Sequence, residues 1–315
     1  MVTDVSSPIV RHTGANVFLL GRRIGWQRRC VGPGLRARFL CVELNPRNLT
    51  SWLLLTLRRA MGRPTAAWGH IHSRRGRAPE HNHSRRVMQR WCTAIIAYTE
   101  TEATELRSVL PAATACSAPN ALYSAEQMAR FALRPLEQRP NLLIIGRLVP
   151  EKKAILGVKA FAQAIPDLPD DVVLHVVGTG PQEPELRTYI AAGGLAGRVC
   201  LHGWVSDLGR LAPILESCCA LVSPGYVGLN AIQALGFGVP VLFARDEPHA
   251  PEIEALGAAN SRVFASNDVE ACREAIVRFH RDRGHFDAEV IASAIRVDYS
   301  TDRMVQPFLA MGERA

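Results

Sequence analysis

Two cations follow a glycine that comes directly after a short apolar segment. Residues 146–153 (GRLVPEKK) place Arg147 in the turn after a predicted strand and Lys152 at the start of a predicted helix. Cations at a helix start oppose the positive end of the helix dipole, so we expect an anionic group to lie between them. A phosphate would suit two fixed cations. A solvated basic turn without a ligand is the alternative.

A second glycine-rich turn follows another apolar run, in residues 222–240 (VSPGYVGLNAIQALGFGVP). Gly225 and Gly228 allow backbone amides to approach a ligand closely, and the helix start would face a phosphate. Gln233 on that helix is expected to point back toward its start. A tight connection between strand and helix, without any ligand, is the competing interpretation.

The third turn, residues 177–181 (VGTGP), is a weaker signal. The last glycine of a dinucleotide-binding fingerprint is replaced by Glu183, so we reject NAD binding.

Strand-length apolar runs alternate with helix-length segments through the second half of the chain. Strands are predicted at 141–145, 171–177, 198–202, 219–223 and 240–243, and helices at 152–165, 184–191 and 207–217. Continuous apolar strands alternating with helices predict a parallel, doubly wound α/β sheet.

The first half repeats this pattern less cleanly. Strands are predicted at 16–20, 38–43, 65–68, 93–99 and 113–117, and helices at 49–60, 84–92 and 101–109. Residues 22–36 and 73–86 are interpreted as exposed, Arg-rich loops. Proline and polar residues at 134–140 predict a boundary between a domain at 1–136 and one at 137–297.

The net charge of +8 is divided unevenly. Residues 1–140 carry 21 Arg against 8 acidic residues, whereas residues 141–315 carry 16 basic against 21 acidic residues. A basic half predicts an anionic partner such as phosphate, phospholipid or nucleic acid. Nucleic acid is disfavoured because no basic-aromatic motif is present. The N-terminus shows no signal-peptide pattern and no apolar run is long enough to span a bilayer, so we expect a soluble, cytoplasmic protein.

Metal and disulfide chemistry are not predicted. The His70/His72 and His81/His83 pairs lie in a Ser/Arg-rich stretch with few carboxylates, and no Asp-x-Asp occurs, so no metal site is expected. Most of the eight scattered cysteines, Cys200 included, lie in apolar runs and are interpreted as small hydrophobic residues. Residues 246–249 (DEPH) either contact a sugar or cap a helix beginning near Pro251, and the cap is favoured.

In order and content, these segments resemble the retaining GT-B glycosyltransferases of glycosyltransferase family 4, also called group 1 glycosyltransferases. The resemblance spans about residues 141–264 and includes 146–152, 177–181, 201–207 (LHGWVSD), 223–229 and 234–241 (ALGFGVPV). Segments 45–47, 67–70, 98–100 and 118–120 are similar to the acceptor-side domain of bacterial surface-polysaccharide transferases.

The resemblance implies a GT-B fold, in which two Rossmann-like domains face each other across a cleft. It also implies a tail helix within 298–315 that packs back on the first domain. Arg147 and Lys152 would bind the donor diphosphate, His70 would face the transferred sugar, and Val205 would meet the base through its backbone. The donor-binding set is Gly146, Val205, Gly225, Gly228, Leu229 and Gln233.

The chain departs from the family where two Glu usually stand eight positions apart, since it has Gly225 and Gln233 there. Gln233 can still bond ribose hydroxyls, but Gly225 cannot contact the sugar through a side chain.

The expected activity is metal-independent, cofactor-free and retaining: transfer from a nucleoside-diphosphate sugar to a glycan or lipid-linked acceptor, with peripheral contact at the inner face of an anionic membrane. A nucleotide-sugar-binding pseudoenzyme is the alternative.

Overall fold

The computed structural model describes residues 16–314 except 20, 22, 73–78, 112 and 132. It divides into two compact units. The first runs to Ala118 and includes the C-terminal segment from Val305, and the second spans Pro119–Met304. The units thus divide before the 136/137 position expected from sequence, because Met128 and Leu136 are part of the apolar core of the second unit.

The first unit holds a four-stranded parallel sheet of order β3-β4-β5-β6 and a separate antiparallel β1-β2 hairpin. Its strands are β1 Asn16–Leu19, β2 Ile24–Gln27, β3 Cys41–Glu43, β4 Ala66–Trp68, β5 Ala94–Ala97 and β6 Thr114–Ser117. Its helices are α1 Val31–Arg36, α2 Leu49–Ala60, α3 Pro79–Trp91 and α4 Glu100–Val109.

The second unit is built on a six-stranded parallel sheet. Its strands are β7 Asn141–Ile145, β8 Leu174–Val177, β9 Val199–Gly203, β10 Cys218–Ser223, β11 Val241–Ala244 and β12 Ser261–Phe264. Its helices are α5 Ala125–Ala129, α6 Ala154–Ala164, α7 Glu183–Ala192, α8 Leu208–Ser217, α9 Leu229–Leu235, α10 Val269–Asp282 and α11 Ala288–Asp298, followed by α12 Thr301–Arg314.

The strand order β12-β11-β10-β7-β8-β9 reverses direction between β7 and β10. In an open α/β sheet, ligands bind beyond the carboxyl ends of the strands at such a reversal. The predicted parallel α/β architecture is therefore confirmed, and it puts the two glycine turns that follow β7 and β10 side by side.

Local sequence accounts for where several helices begin. Asn48 caps α2 by accepting from the Thr50 and Ser51 amides, and Asp207 caps α8 by accepting from the Arg210 amide at 2.9 Å. Side-chain oxygens of this kind satisfy amides that have no partner within the helix.

The two predicted Arg-rich loops are wrong in part. Residues 22–36 contain β2 and α1, and 79–86 belong to α3, while 73–78 lie outside the described residues. Arg85 is not free at the surface, since its guanidinium donates to the Leu44 and His70 carbonyls. The sequence does not reveal that Arg85 bonds backbone carbonyls, because every residue type carries a carbonyl and none marks this contact.

A buried arginine ties together three segments of the first unit. Arg58 is fully buried on α2 and donates to the Gly34, Ala37 and Pro64 carbonyls at 2.7–2.9 Å. A further bond of 3.0 Å reaches the Thr65 hydroxyl. The side chain therefore replaces water for several otherwise buried carbonyls.

The C-terminal part of α12 belongs to the first unit, where the Phe308 ring packs edge-on against Trp68 with ring centroids 5.6 Å apart. Among the described residues, no helix combines the length and the apolar character that crossing a bilayer requires.

Candidate active site

The turn after β7 interlocks with the turn after β8. The Leu148 amide donates to the Thr179 carbonyl at 3.0 Å, and the Gly146 amide donates to the Val177 carbonyl. A Cβ added at Gly178 would lie 1.8 Å from the Gly146 carbonyl oxygen, and Gly178 also has φ +145°. The Gly-x-Gly sequence after β8 thus permits close packing of two backbones.

Lys152 lies at the switch point with its ammonium half-buried. Its Nζ donates to the Tyr226 carbonyl at 2.9 Å and to Asn230 Oδ1 at 3.1 Å, and it lies 3.8 Å from the Tyr226 ring centroid. These three partners are uncharged. Burial lowers the pKa of Lys152 to about 8, although the nearby Glu252 carboxylate opposes the shift. A desolvated cation whose direct contacts are uncharged attracts anions, although the nearby Glu252 carboxylate offsets part of its charge.

Arg147 lines the same pocket as Lys152, together with Ser223 and Asn230, and its side chain is exposed. The pocket lies at the ends of β7 and β10. The two cations predicted from the first turn therefore share one site.

Lys153, by contrast, is held away from this pocket. It adopts the left-handed backbone conformation at φ +51°, and its Nζ pairs with Glu247 and bonds to Asn267. An anion was expected near the basic turn, and for Lys153 that anion is the Glu247 carboxylate of the protein itself.

The turn after β10 has no room for a side chain at Gly225. A Cβ there would lie 2.1 Å from the Glu151 carbonyl oxygen. The Glu that the family usually carries at this position would therefore clash with this backbone.

The remaining amides of the turn are partly engaged within the protein. The Gly228 amide donates to Asn230 Oδ1 at 3.0 Å, and the Val227 amide donates to His249 Nδ1 at 2.9 Å. Leu229 begins α9, which has only seven residues. Asn230 thus bridges the glycine turn and Lys152.

Gln233, predicted to bind ribose, lies on α9 and donates its amide N–H to the Tyr123 hydroxyl at 2.7 Å. Val205 is buried in the core, and its neighbour Trp204 is 64% exposed. Gln233 lies on the predicted helix and Val205 in the turn after β9, as expected from sequence. Their contacts with a ligand stay predictions.

His70 lies in the first unit, two residues beyond β4. Its ring packs edge-on against Tyr98 with centroids 4.5 Å apart, and its Nδ1 lies 3.8 Å from a Glu102 oxygen. His72 binds Glu105 at 2.7 Å instead of pairing with His70. The side chain of His81 lies outside the described part.

The expected helix cap at residues 246–249 is wrong. The short 3₁₀ helix Pro251–Ala255 starts after Ala250 without a side-chain cap. His249 instead supports the glycine turn, because its Nδ1 accepts from Val227 while its other ring nitrogen is 3.0 Å from the Ala244 carbonyl.

Sequence reasoning missed Asn230 and Glu252, and it predicted a different role for His249. Glu252 is 4% exposed, and its Oε1 accepts from the Asn120 side chain at 2.8 Å. Its other carboxylate oxygen is buried without a hydrogen-bond partner. Asn230 bonds Lys152 and Glu252 bonds Asn120 across long sequence separations, so no local spacing marks these contacts.

Residues 139–282 match the model of the family described as glycosyl transferases group 1. The chain is 31% identical over 149 residues to an exopolysaccharide phosphotransferase of Streptomyces coelicolor, covering 45% of this chain and 15% of that protein. It is 30% identical over 118 residues to a 2-deoxystreptamine glucosyltransferase of Streptomyces kanamyceticus, covering 36% of this chain and 29% of that protein. The chain thus matches less than a third of the length of either curated relative.

Among solved structures, HepE of Anabaena in complex with UDP is similar to this chain with a TM-score of 0.68 and 15% identity, covering 91% of this chain and 81% of HepE. At this identity the likeness shows the fold. Residues 139–282 are therefore similar to the glycosyl transferases group 1 family, and the chain has the GT-B fold.

Proposed function

We propose that this protein is a retaining glycosyltransferase that moves a sugar from a nucleoside-diphosphate sugar to a glycan or lipid-linked acceptor. The observation that carries the proposal is the desolvated Lys152 ammonium, held among neutral groups at the switch point beside Arg147. The matched family and the glycosyltransferase among the curated relatives support the same class of reaction.

In this proposal, Arg147 and Lys152 hold the donor diphosphate and stabilise the negative charge that develops as it leaves. The bond between the sugar's anomeric carbon and the phosphate oxygen breaks while the acceptor oxygen attacks from the same face. The departing phosphate oxygen takes the proton of the acceptor hydroxyl, so configuration is retained without a carboxylate nucleophile. No metal or other cofactor takes part.

The other predicted residues have supporting roles. The Gly228 and Leu229 amides would bond phosphate or sugar, with Asn230 exchanging its present bond to Gly228. Since the Tyr123 hydroxyl accepts one of the two amide N–H groups of Gln233, a ribose hydroxyl would bond the amide oxygen or the second N–H of Gln233. His70 would contact the transferred sugar, and the Val205 backbone would contact the base.

Nucleotide binding is tested first, by thermal shift with UDP, GDP and ADP. Ligands that bind only the folded state raise the apparent melting temperature. UDP is the expected ligand, because HepE was solved with UDP. Lys152→Met should abolish the shift, whereas Lys159→Met, a lysine beside Tyr189 and outside the site, should keep it. No shift with any nucleotide would contradict the proposal.

Transfer is tested separately, by following release of the nucleoside diphosphate from nucleotide sugars with glycan and lipid-linked acceptors. The anomeric configuration of the product is then read by NMR. Inversion would refute the same-face mechanism. Nucleotide binding without turnover on any acceptor would instead favour the pseudoenzyme.

We also propose that the first unit contacts an anionic membrane. The β1-β2 hairpin exposes Phe18 and Leu19, at 54% and 49%, beside the exposed arginines Arg23, Arg28 and Arg29. Arg86 is exposed as well, whereas Arg22, Arg74, Arg75 and Arg77 lie outside the described residues. Each basic residue near an anionic leaflet contributes about 1 kcal/mol to membrane binding. At physiological salt this attraction falls off over a Debye length of about 8 Å.

Sedimentation with neutral and anionic vesicles, at low and high salt, tests this contact. Binding to anionic vesicles at low salt should fall in Arg28→Ser/Arg29→Ser, and should persist in a control with Arg130→Ser and Arg187→Ser. Equal binding to both vesicle types, or none at low salt, would refute the membrane contact.

A further inference from the structure

Three metal-ligating side chains meet on adjacent strands at one edge of the second sheet, away from the donor pocket. His175 on β8 is the register partner of Cys200 on β9, so their side chains neighbour each other on one face. His202, two residues further along β9, shares that face. Strand β9 is the last strand of the sheet.

A backbone irregularity brings the two histidines together. The pairing of β8 with β9 shifts between Val176 and Val177, so that Val177 pairs with Gly203 and leaves His202 as the extra residue. Gly203 has φ +66°, a conformation that favours glycine. Such bulges re-aim a side chain. Here His175 Nδ1 lies 2.9 Å from His202 Nε2.

The spacing of the three groups fits one small cation. One ligand atom from each of His175, Cys200 and His202 can be chosen so that all lie within 4.8 Å of one another. Tetrahedral Zn²⁺, with bonds of about 2.0–2.3 Å, needs ligand atoms about 3.3–3.6 Å apart. The two ring nitrogens, now 2.9 Å apart, would have to separate by about 0.4 Å, and the Cys200 sulfur would have to approach them by at most about 1.3 Å.

We infer that His175, Cys200 and His202 form a zinc-binding site at the β8-β9 edge. Zn²⁺ prefers ligand sets such as two imidazoles and a thiolate, whereas Mg²⁺ and Ca²⁺ prefer oxygen ligands. Cys200 is exposed, contrary to the expectation that it packs as a small hydrophobic residue, and this exposure gives the ion a path and water a fourth coordination position. On binding, the Cys200 thiol releases its proton to solvent and each ring keeps one N–H on its far nitrogen.

The site would act on structure and not on the reaction. It lies on β8 and β9, the two strands at the edge of the sheet beyond β7, and directly before the Gly203–Val205 turn. The Gly203 carbonyl accepts from the Gly178 amide at 2.8 Å, so a metal there would fix the end of β9 against the turn that follows β8.

Cobalt titration of the reduced, metal-free full-length chain tests the assignment. We expect one equivalent of Co²⁺ to produce a thiolate-to-cobalt charge-transfer band with tetrahedral visible bands, and Zn²⁺ to displace it. Cys200→Ser should lose the charge-transfer band, and His202→Asn should weaken zinc binding more than about tenfold. Cys30→Ser, at another accessible thiol, is the matched control and should keep the band.

Two results would overturn the inference: absence of the band in the unmodified protein, or an undiminished band in Cys200→Ser. Melting temperature gives a second readout, since zinc should raise it in the unmodified protein and in Cys30→Ser but not in Cys200→Ser. Neither measurement depends on nucleotide binding, so the zinc site and the proposed transferase activity can fail independently.

Discussion

Donor affinity should depend on the protonation of Lys152. Burial lowers the pKa of this lysine to about 8 from its ordinary 10.5. If only the charged form holds the diphosphate, about nine-tenths of the protein is competent at pH 7 and about one-tenth at pH 9, so the Kd for UDP should rise about tenfold between them. An ordinary lysine would stay more than about 95% charged and leave the Kd nearly constant.

Isothermal titration calorimetry measures both the affinity and the proton that accompanies it. At pH 8 about half of the lysines are neutral, so UDP binding should take up about half a proton, visible as a dependence of the heat on buffer ionisation enthalpy. Diphosphate ionisation does not mask the effect, because its last proton is lost near pH 6.

Variants separate this lysine from other titrating groups. Lys152→Arg stays charged throughout and should flatten the profile. Glu252→Gln removes the carboxylate that raises the pKa of Lys152, so its affinity should begin to fall at lower pH than in the unmodified protein. A Kd that is constant from pH 7 to 9, or a slope that survives in Lys152→Arg, would refute the reasoning.

Further expectations concern the donor site and the core. Arg147→Ala should lower turnover by about 10² or more, since a fixed charge facing the leaving group is lost, and wild-type turnover would mean that the diphosphate lies elsewhere. EDTA should leave turnover and nucleotide affinity unchanged, whereas strict dependence on Mg²⁺ or Mn²⁺ would contradict a metal-free donor site. Gly225→Ala should abolish nucleotide binding because of the backbone clash, while Gly257→Ala, with no atom within 4 Å of the new Cβ, should bind normally in the same thermal-shift assay. Arg58→Met should lower the free energy of unfolding by about 3 kcal/mol or more in urea, as buried carbonyls lose their donors, and the exposed Arg59→Met should change it little; equal effects would refute this account.

The parallel sheet of the second unit was predictable because its central strands β7 and β10 are buried on both faces. Continuous apolar runs such as 141–145 and 218–223 leave a strong signal, and glycine turns mark the strand ends that meet at the switch point. That Arg147 and Lys152 line one pocket could be predicted because they are close in sequence to each other and to that turn.

What escaped prediction depends on contacts between distant segments. His249 accepts from an amide 22 residues earlier, and Glu252 bonds a side chain 132 residues earlier. Arg85 was misassigned to a surface loop because the carbonyls that it serves carry no residue-type signal. The single-residue bulge at His202 likewise leaves no periodicity to detect, since it follows from how two strands pair.

In the proposed donor site, the backbone contact at Gly225 limits how donor preference could be changed by substitution. A carboxylate side chain cannot be introduced at position 225 by one substitution, because its Cβ would clash with the backbone of residues 151–152 unless that backbone moved. Sugar selectivity is therefore open to mutation mainly through neighbours that already carry side chains, such as Tyr226 and Asn230. In this proposed site, a side chain at position 225 would need compensating substitutions across two loops, and we expect side chains introduced at position 225 alone to weaken nucleotide binding.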